Sequence, residues 1–405
     1  MKKLALFVLS ITFLAAACTK KDDGLTQTTE LQTLFVGDVT VSGNLNLDYL
    51  KSIQSISGSL TITDIANPHG QGTPQPINNL DALKSLKRIG GDLILRDLNQ
   101  LKNLIGLNNL EQIDGSILIG RNCSVVSFKG LDALKKIKSI STAAISTSNF
   151  KGELSFLDVN KDVSCESINI SSTNGLTDLK GLDVFKGVKT CNILNNYDLK
   201  SIQKLPRMGS AVQFIIQNNL KLENIEGSLT GDQFHLVHIG DTRLKDLTFL
   251  SNMTVISSFV LNNNSQLTTL NLDKIQELSS INIGNCISLQ SLKGLENCKK
   301  NHAYIFGNDL LENIDAISNL GGGTLYISRN PSLKSIECLN EMGKNGKYLF
   351  SLNISGNKKL MELCPASSVI KNMLKARETL AHIQIPAITD NGGSMTMQEI
   401  VEKCK

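Results

Sequence analysis

Apolar residues along this chain fall into a compound unit that returns every 22 to 26 residues over most of its length. Two late copies show it plainly: Leu325-Tyr-Ile327-Ser-Arg-Asn330-Pro-Ser-Leu333-Lys-Ser-Ile336 and Leu352-Asn-Ile354-Ser-Gly-Asn357-Lys-Lys-Leu360-Met-Glu-Leu363. The apolar-x-apolar alternation before the Asn predicts a short, half-buried strand. The apolar pair three and six residues after it predicts a return path. One such unit cannot bury its apolar side alone, so a sustained period of this size predicts stacked units sharing a continuous core. The expected fold is a mainly β solenoid of about 13 rungs, with short helical or irregular return segments.

The Asn-like position anchors each rung. The anchors run Ile65, Leu98, Asn122, Ser148, Thr173, Asn196, Asn219, Thr242, Asn264, Cys286, Asn308, Asn330 and Asn357. An inward Asn suits the turn leaving a strand because its amide both donates to and accepts from buried backbone. Ser and Thr do part of this, and Cys is small enough to fit. One unit slips: Val237 and Ile239 point to an anchor at Thr242, but Leu244 and Leu247 point to Asp241, as a one-residue deletion in the turn produces. The residue between the two inward positions of each strand faces outward. Down the stack these are Thr61, Ile94, Leu118, Ala144, Asn169, Asn192, Ile215, His238, Val260, Asn282, Tyr304, Tyr326 and Asn353. At ~4.8 Å per strand they span roughly 58 Å.

Early units share Ile-x-Gly-x-apolar ahead of the strand: Ile56-Ser-Gly58-Ser-Leu60, Ile89-Gly-Gly91-Asp-Leu93 and Ile113-Asp-Gly115-Ser-Ile117. Glycine there suits a corner with positive φ or close backbone approach. Return segments repeat Gly-Leu-x-x-Leu, as in Gly106-Leu107-Asn-Asn-Leu110 and Gly130-Leu131-Asp-Ala-Leu134. Together these resemble receptor L-domain proteins, close relatives of leucine-rich repeats, over roughly residues 38 to 365. The resemblance implies a right-handed solenoid with one parallel sheet. It says little of function, because such scaffolds serve many partners.

Lys2 and Lys3, the apolar run Leu4 to Leu14 and Leu14-Ala-Ala-Ala17-Cys18 resemble a bacterial lipoprotein signal, with residues 1–17 removed and Cys18 lipidated. The apolar run is too short to span a bilayer. The following Thr19-Lys-Lys-Asp-Asp23 resembles the export tag of surface lipoproteins in Bacteroidetes-type bacteria. Residues 18–33 are then a lipidated tether, 34–365 the solenoid and 366–405 a C-terminal cap. The expected address is the outer membrane, lipid-anchored and facing the cell exterior, with the periplasmic face as the alternative.

Within the cap, Ser367 to Arg377 reads as an amphipathic helix, Met397 to Lys403 as a terminal helix, and Asn391-Gly-Gly393 as a flexible turn. Residues 66–76, holding three of the seven Pro, read as a loop inserted between the first two rungs. With Cys18 assigned to lipid, eight of the nine Cys remain; Cys364 and Cys404 are the pair expected to fasten the cap. No CxxC spacing suggests structural zinc, and no cofactor or metal is expected.

Removing residues 1–17 lowers the formal charge from +4 to +2, with no basic stripe of the kind nucleic acid requires. No nucleophile elbow, zinc-protease motif, phosphate loop or dinucleotide fingerprint is present. Arg96, Asp97 and Arg121 are the nearest approach to a polysaccharide-lyase set, and nothing distinguishes them from surface charges. The best candidate contacts are His302, Tyr304, Phe306 and Tyr326, with an apolar spot at Ile94 and Leu118, because Tyr is favoured at interfaces. A stabilising cross-strand pair is the plainer account of the two tyrosines. The chain therefore reads as a non-catalytic recognition or adhesion protein for a protein or glycan ligand. The absence of Trp disfavours a broad sugar platform.

Overall fold

Among the described residues the apolar alternation of the rungs forms strands, and the strands pair in parallel. The computed structural model describes residues 34–43, 47–65, 75–120, 123–142, 148–231, 233–297, 299–344 and 348–404. Cys18, the signal segment, the tether and Arg121 lie outside the described residues, as does the insertion from 66 to 74. The main sheet has sixteen strands, running in chain order from Val39–Ser42 through Leu60–Thr63 to Ser351–Ser355 and Ala387–Thr389. Among the described residues two four-stranded parallel sheets accompany it. One is built from two-residue strands such as Ser55–Ile56 and Arg88–Ile89, the other from strands between Ser148 and Glu226. The single sheet implied by the resemblance is thus one of three.

The inward residues of each rung, such as Leu60 and Ile62, Leu93 and Leu95, or Ile281 and Ile283, are fully buried in one continuous core. Phe128, Phe156 and Phe185 form an aromatic spine there, with successive ring centroids 4.5 and 5.2 Å apart. The return segments contain 3-10 turns, among them Asp81–Leu83, Thr248–Leu250 and Asp315–Ile317. Gly58 and Gly115 serve close approach rather than positive φ. A Cβ on Gly58 would lie 2.2 Å from Asp38 Oδ1, and one on Gly115 2.2 Å from Asp92 Oδ1.

The anchors form a hydrogen-bonded column. Each Asn accepts, on Oδ1, the backbone N–H of the preceding anchor and donates Nδ2–H to a carbonyl three residues before that anchor. Asn308 accepts from Cys286 N (3.0 Å) and donates to Ile283 O (3.1 Å); Asn330 accepts from Asn308 N (3.0 Å) and donates to Ile305 O (3.0 Å). Asn196, Asn219, Asn264 and Asn357 donate in the same way, to Ile170, Ile193, Ile239 and Ile327. Just before most anchors sits a residue at positive φ, such as Asn195, Asn218, Asp241, Asn263 or Asn285. The run of Asn, Asp and Gly at this position carries that requirement in the sequence, because these residue types tolerate the left-handed region. Thr242 occupies the column at the slipped rung, its N–H and Oγ1 both donating to Asn264 Oδ1, so the missing residue is absorbed in the turn after it.

Cys286 fills the column with a weaker donor, its Sγ 3.9 Å from Leu261 O, and burial pushes its thiol up to about 11. Cys286→Asn is expected to stabilise the protein by about 1 kcal/mol, one net hydrogen bond's worth. A denaturant midpoint unchanged or lowered relative to wild type would contradict this.

The structure corrects four sequence assignments. Ile65 is 47% exposed and anchors nothing. At the third anchor, Leu98 pairs with buried Cys123, one residue beyond Asn122, which lies outside the described residues. The outward position given to Ala144, also outside the described residues, is taken by Ser141, which pairs with Leu118 and Asn169. Ser148 begins a strand that belongs to another sheet. Finally, the stack does not stop at 365. Ala387–Thr389 adds a strand, and Asn391 continues the column by accepting from Asn357 N (3.1 Å) and donating to Ile354 O (2.8 Å). The expected flexible turn is a further rung.

The cap helices occupy Ser367–Arg377 and Met397–Lys403 as expected, and Cys364 and Cys404 are joined in a disulfide with Cα atoms 5.2 Å apart. A helix at Cys338–Lys344 was not anticipated. It lies against Ser367–Arg377 so closely that a Cβ on Gly343 would sit 2.2 Å from Ser368 Cβ.

Candidate binding face

Parallel register carries the outward residues into one column. From Thr61 the partners run Ile94, Leu118, Ser141, Asn169, Asn192, Ile215 and His238, then Val260, Asn282, Tyr304, Tyr326, Asn353 and Ala387. All are half-buried, as side chains standing up from a sheet are when neighbours flank them. The middle of the face is rich in amides that bond across strands. Asn192 Nδ2 donates to Asn169 Oδ1 (2.9 Å), and His238 Nε2 lies 3.0 Å from Asn262 Oδ1.

Tyr304 and Tyr326 are register partners with ring centroids 6.5 Å apart at 35°, tilted rather than face to face. Phe306 lies over the preceding strand: a Cβ on Gly284 would meet its ring at 2.3 Å, so glycine makes the space it fills. His302 stands two residues before Tyr304, and its Nδ1 accepts the Thr324 N–H at 3.3 Å. In the neutral ring that acceptor role leaves the hydrogen on Nε2. The structure therefore brings His302, Tyr304, Phe306 and Tyr326 onto adjoining strands. Ile94 and Leu118 are also register partners, but the nearer of them, Leu118, sits eight strands from Tyr304, roughly 38 Å at ~4.8 Å per strand. They make a separate spot.

Two buried polar atoms beside the aromatic group lack hydrogen-bond partners. They are Asn282 Oδ1, on the register partner of Tyr304, and Ser328 Oγ, on the register partner of Phe306. An unpaired buried polar atom costs about 1–3 kcal/mol.

The face continues into a hollow that the sequence reading did not find. About 560 Å³ in volume, it is lined by Asn301, His302, Gly321, Gly322, Gly323, Tyr348 and Phe350. The signal for it was the Gly321-Gly-Gly323 run inside a strand, since glycine there marks a bulge or close backbone approach. Among the described residues no cluster of three or more His, Cys, Asp or Glu is placed to hold a metal.

Architecture and exposed face together define an L-domain-like, leucine-rich-repeat-like solenoid protein. The receptor L domain family matches residues 54–172. Among solved structures, the chain is similar to a leucine-rich repeat protein from Bacteroides ovatus (14% identity, 73% of this chain, 89% of that chain, TM-score 0.22). It is also similar to the TLR13–ssRNA13 complex (12% identity, 90% of this chain, 75% of that chain, TM-score 0.15). No curated protein matches the sequence.

Proposed function

We propose that this chain is a non-catalytic recognition lipoprotein, tethered at the outer membrane through Cys18 and facing the cell exterior, that binds a macromolecular partner across its sheet face. The observation that carries the reading is the Tyr304–Tyr326 pair, with His302 and Phe306, on an otherwise uncharged column. Tyr buries a large area at small entropic cost and keeps a polar tip for hydrogen bonding. A rigid solenoid holds such residues without reorganisation, and that preorganisation favours affinity. The buried thiols are poor candidates for a nucleophile. Burial pushes Cys123 up to about 11 and Cys165 and Cys338 up to about 12, far from a reactive thiolate at neutral pH.

Tyr304→Ala with Tyr326→Ala is expected to weaken partner binding at least thirtyfold, about 2 kcal/mol. The inward residues of these strands are untouched, so circular dichroism and thermal midpoint should stay close to wild type. Capture of the partner by intact cells bearing each form reads binding and surface display together. Equal capture by both forms rejects the sheet-face assignment.

A further inference from the structure

We propose that the hollow beside the aromatic pair is a binding site for a short, neutral saccharide. This deepens the recognition reading and rests on it. The site begins with a register break. Between the strands Lys300–Phe306 and Leu320–Ser328 the pairing runs Lys300 to Leu320, then His302 to Thr324. Three glycines, Gly321 to Gly323, thus stand opposite Asn301 alone. Gly322 has φ +78°, and a Cβ on Gly323 would fall 1.4 Å from Asn301 O. No other residue type fits at 323, so the floor of the hollow is bare backbone.

Its wall is aromatic and held in place. Phe350 is 40% exposed, yet its backbone is pinned on both sides. Its N–H donates to Gly323 O (2.7 Å), and its carbonyl accepts from Gln384 N (2.9 Å). The Tyr348 and His382 rings flank it at centroid distances of 6.3 and 5.3 Å. Keeping a phenyl ring in water gains nothing for the fold, because its burial is what stabilises.

The lining selects the ligand by chemistry. Among the described residues its lining contains no Lys, Arg, Asp or Glu, so a charged ligand would find no counter-charge from them. It is not purely apolar either: the Asn301 amide, His302 Nε2–H and the glycine backbone would lose water to an aliphatic side chain without replacement, which is costly. A pyranose ring offers a C–H face to Phe350 and Tyr348 and hydroxyls to the polar rim. The contrast is the hollow of about 490 Å³ lined by Leu157, Lys161, Asp162, Asp183, Val184, Lys204 and Arg207. Four of its five charges already pair internally, Arg207 with Asp162 at 2.5 Å and Lys204 with Asp183 at 3.6 Å.

The test is binding of the purified protein to an array of neutral hexose and N-acetylhexosamine oligosaccharides, followed by calorimetric titration with a retained tri- or tetrasaccharide. Wild type should be retained, with Phe350→Ala weakening affinity at least tenfold and Asn301→Ala severalfold. Both side chains are exposed, and matching thermal midpoints would show that neither change unfolds the protein. Retention on acidic oligosaccharides alone, retention on none, or unchanged affinity in Phe350→Ala overturns the proposal. The Tyr304→Ala/Tyr326→Ala protein separates it from the sheet-face reading. A failed saccharide arm with tyrosine-dependent partner capture removes only the hollow. Phe350-dependent saccharide binding with tyrosine-independent capture removes only the sheet face.

Discussion

Asn308→Ala is expected to destabilise the protein by about 3–4 kcal/mol, among the largest effects of any single side chain here. The substitution strands the Cys286 N–H and the Ile283 carbonyl, which Asn308 now satisfies at 3.0 and 3.1 Å, and removes a 3.1 Å bond from its Nδ2 to Asn330 Oδ1. Residue 308 is fully buried, so water cannot replace these partners. Each stranded group costs about 1–3 kcal/mol. A solenoid's stability is nearly a sum of rung and neighbour-interface terms. The damage should therefore appear first as lost hydrogen-exchange protection in the strands Glu277–Gly284 and Lys300–Phe306, which end just before residues 286 and 308. Asn308→Thr should lose less, since Thr173 and Thr242 occupy the same column elsewhere. Urea unfolding with amide exchange checks both. A loss below about 1 kcal/mol for the alanine variant would mean that the column is incidental.

Breaking the Cys364–Cys404 bridge with paired serine substitutions is expected to cost about 2–4 kcal/mol, concentrated at the C-terminal end. The bridge closes a loop with a sequence separation of 40, and the entropy it removes from the unfolded chain is of that order. It also positions the chain end: the Cys404 carbonyl accepts from Ser367 Oγ (3.2 Å) and Lys371 Nζ (3.0 Å). Without it, the helix Met397–Lys403 loses its tie to Ser367–Arg377, and the last strand, Ala387–Thr389, becomes the fraying edge of the sheet. Limited proteolysis should then cut between residues 389 and 397 while the rungs before Asn330 stay protected. Reducing agent applied to wild type should do the same. An unchanged cleavage pattern in both experiments would show that the cap is held by packing alone.

Much of the fold was legible because the solenoid is quasi-one-dimensional: each rung is specified by its own 22 to 26 residues and meets only its neighbours. From Thr173 to Asn357 the inward and outward assignments agree with the register strand by strand. They fail where local spacing no longer reports register. Ala144 follows from counting back from Ser148, whereas the register sets Ser141 opposite Leu118 and Asn169. Asn391 was hidden because Ser367–Arg377 separates it from Asn357, so the period gave no warning that the column resumes.

By itself, the sequence determined the repeat, the burial of alternate residues, the anchoring role of Asn and the adjacency of Tyr304 and Tyr326. All of these follow from side-chain periodicity within a unit or between neighbouring units. Only the tertiary structure decided how that periodicity is joined at its exceptions: the register break at Gly321 to Gly323, the extra strand at Ala387–Thr389, and the hollow that sets Asn301 beside Phe350. Those residues are far apart in the chain and share no local pattern. They meet because parallel pairing places each strand one full turn of chain after the last, and a bulge in one strand opens space that a different rung must wall.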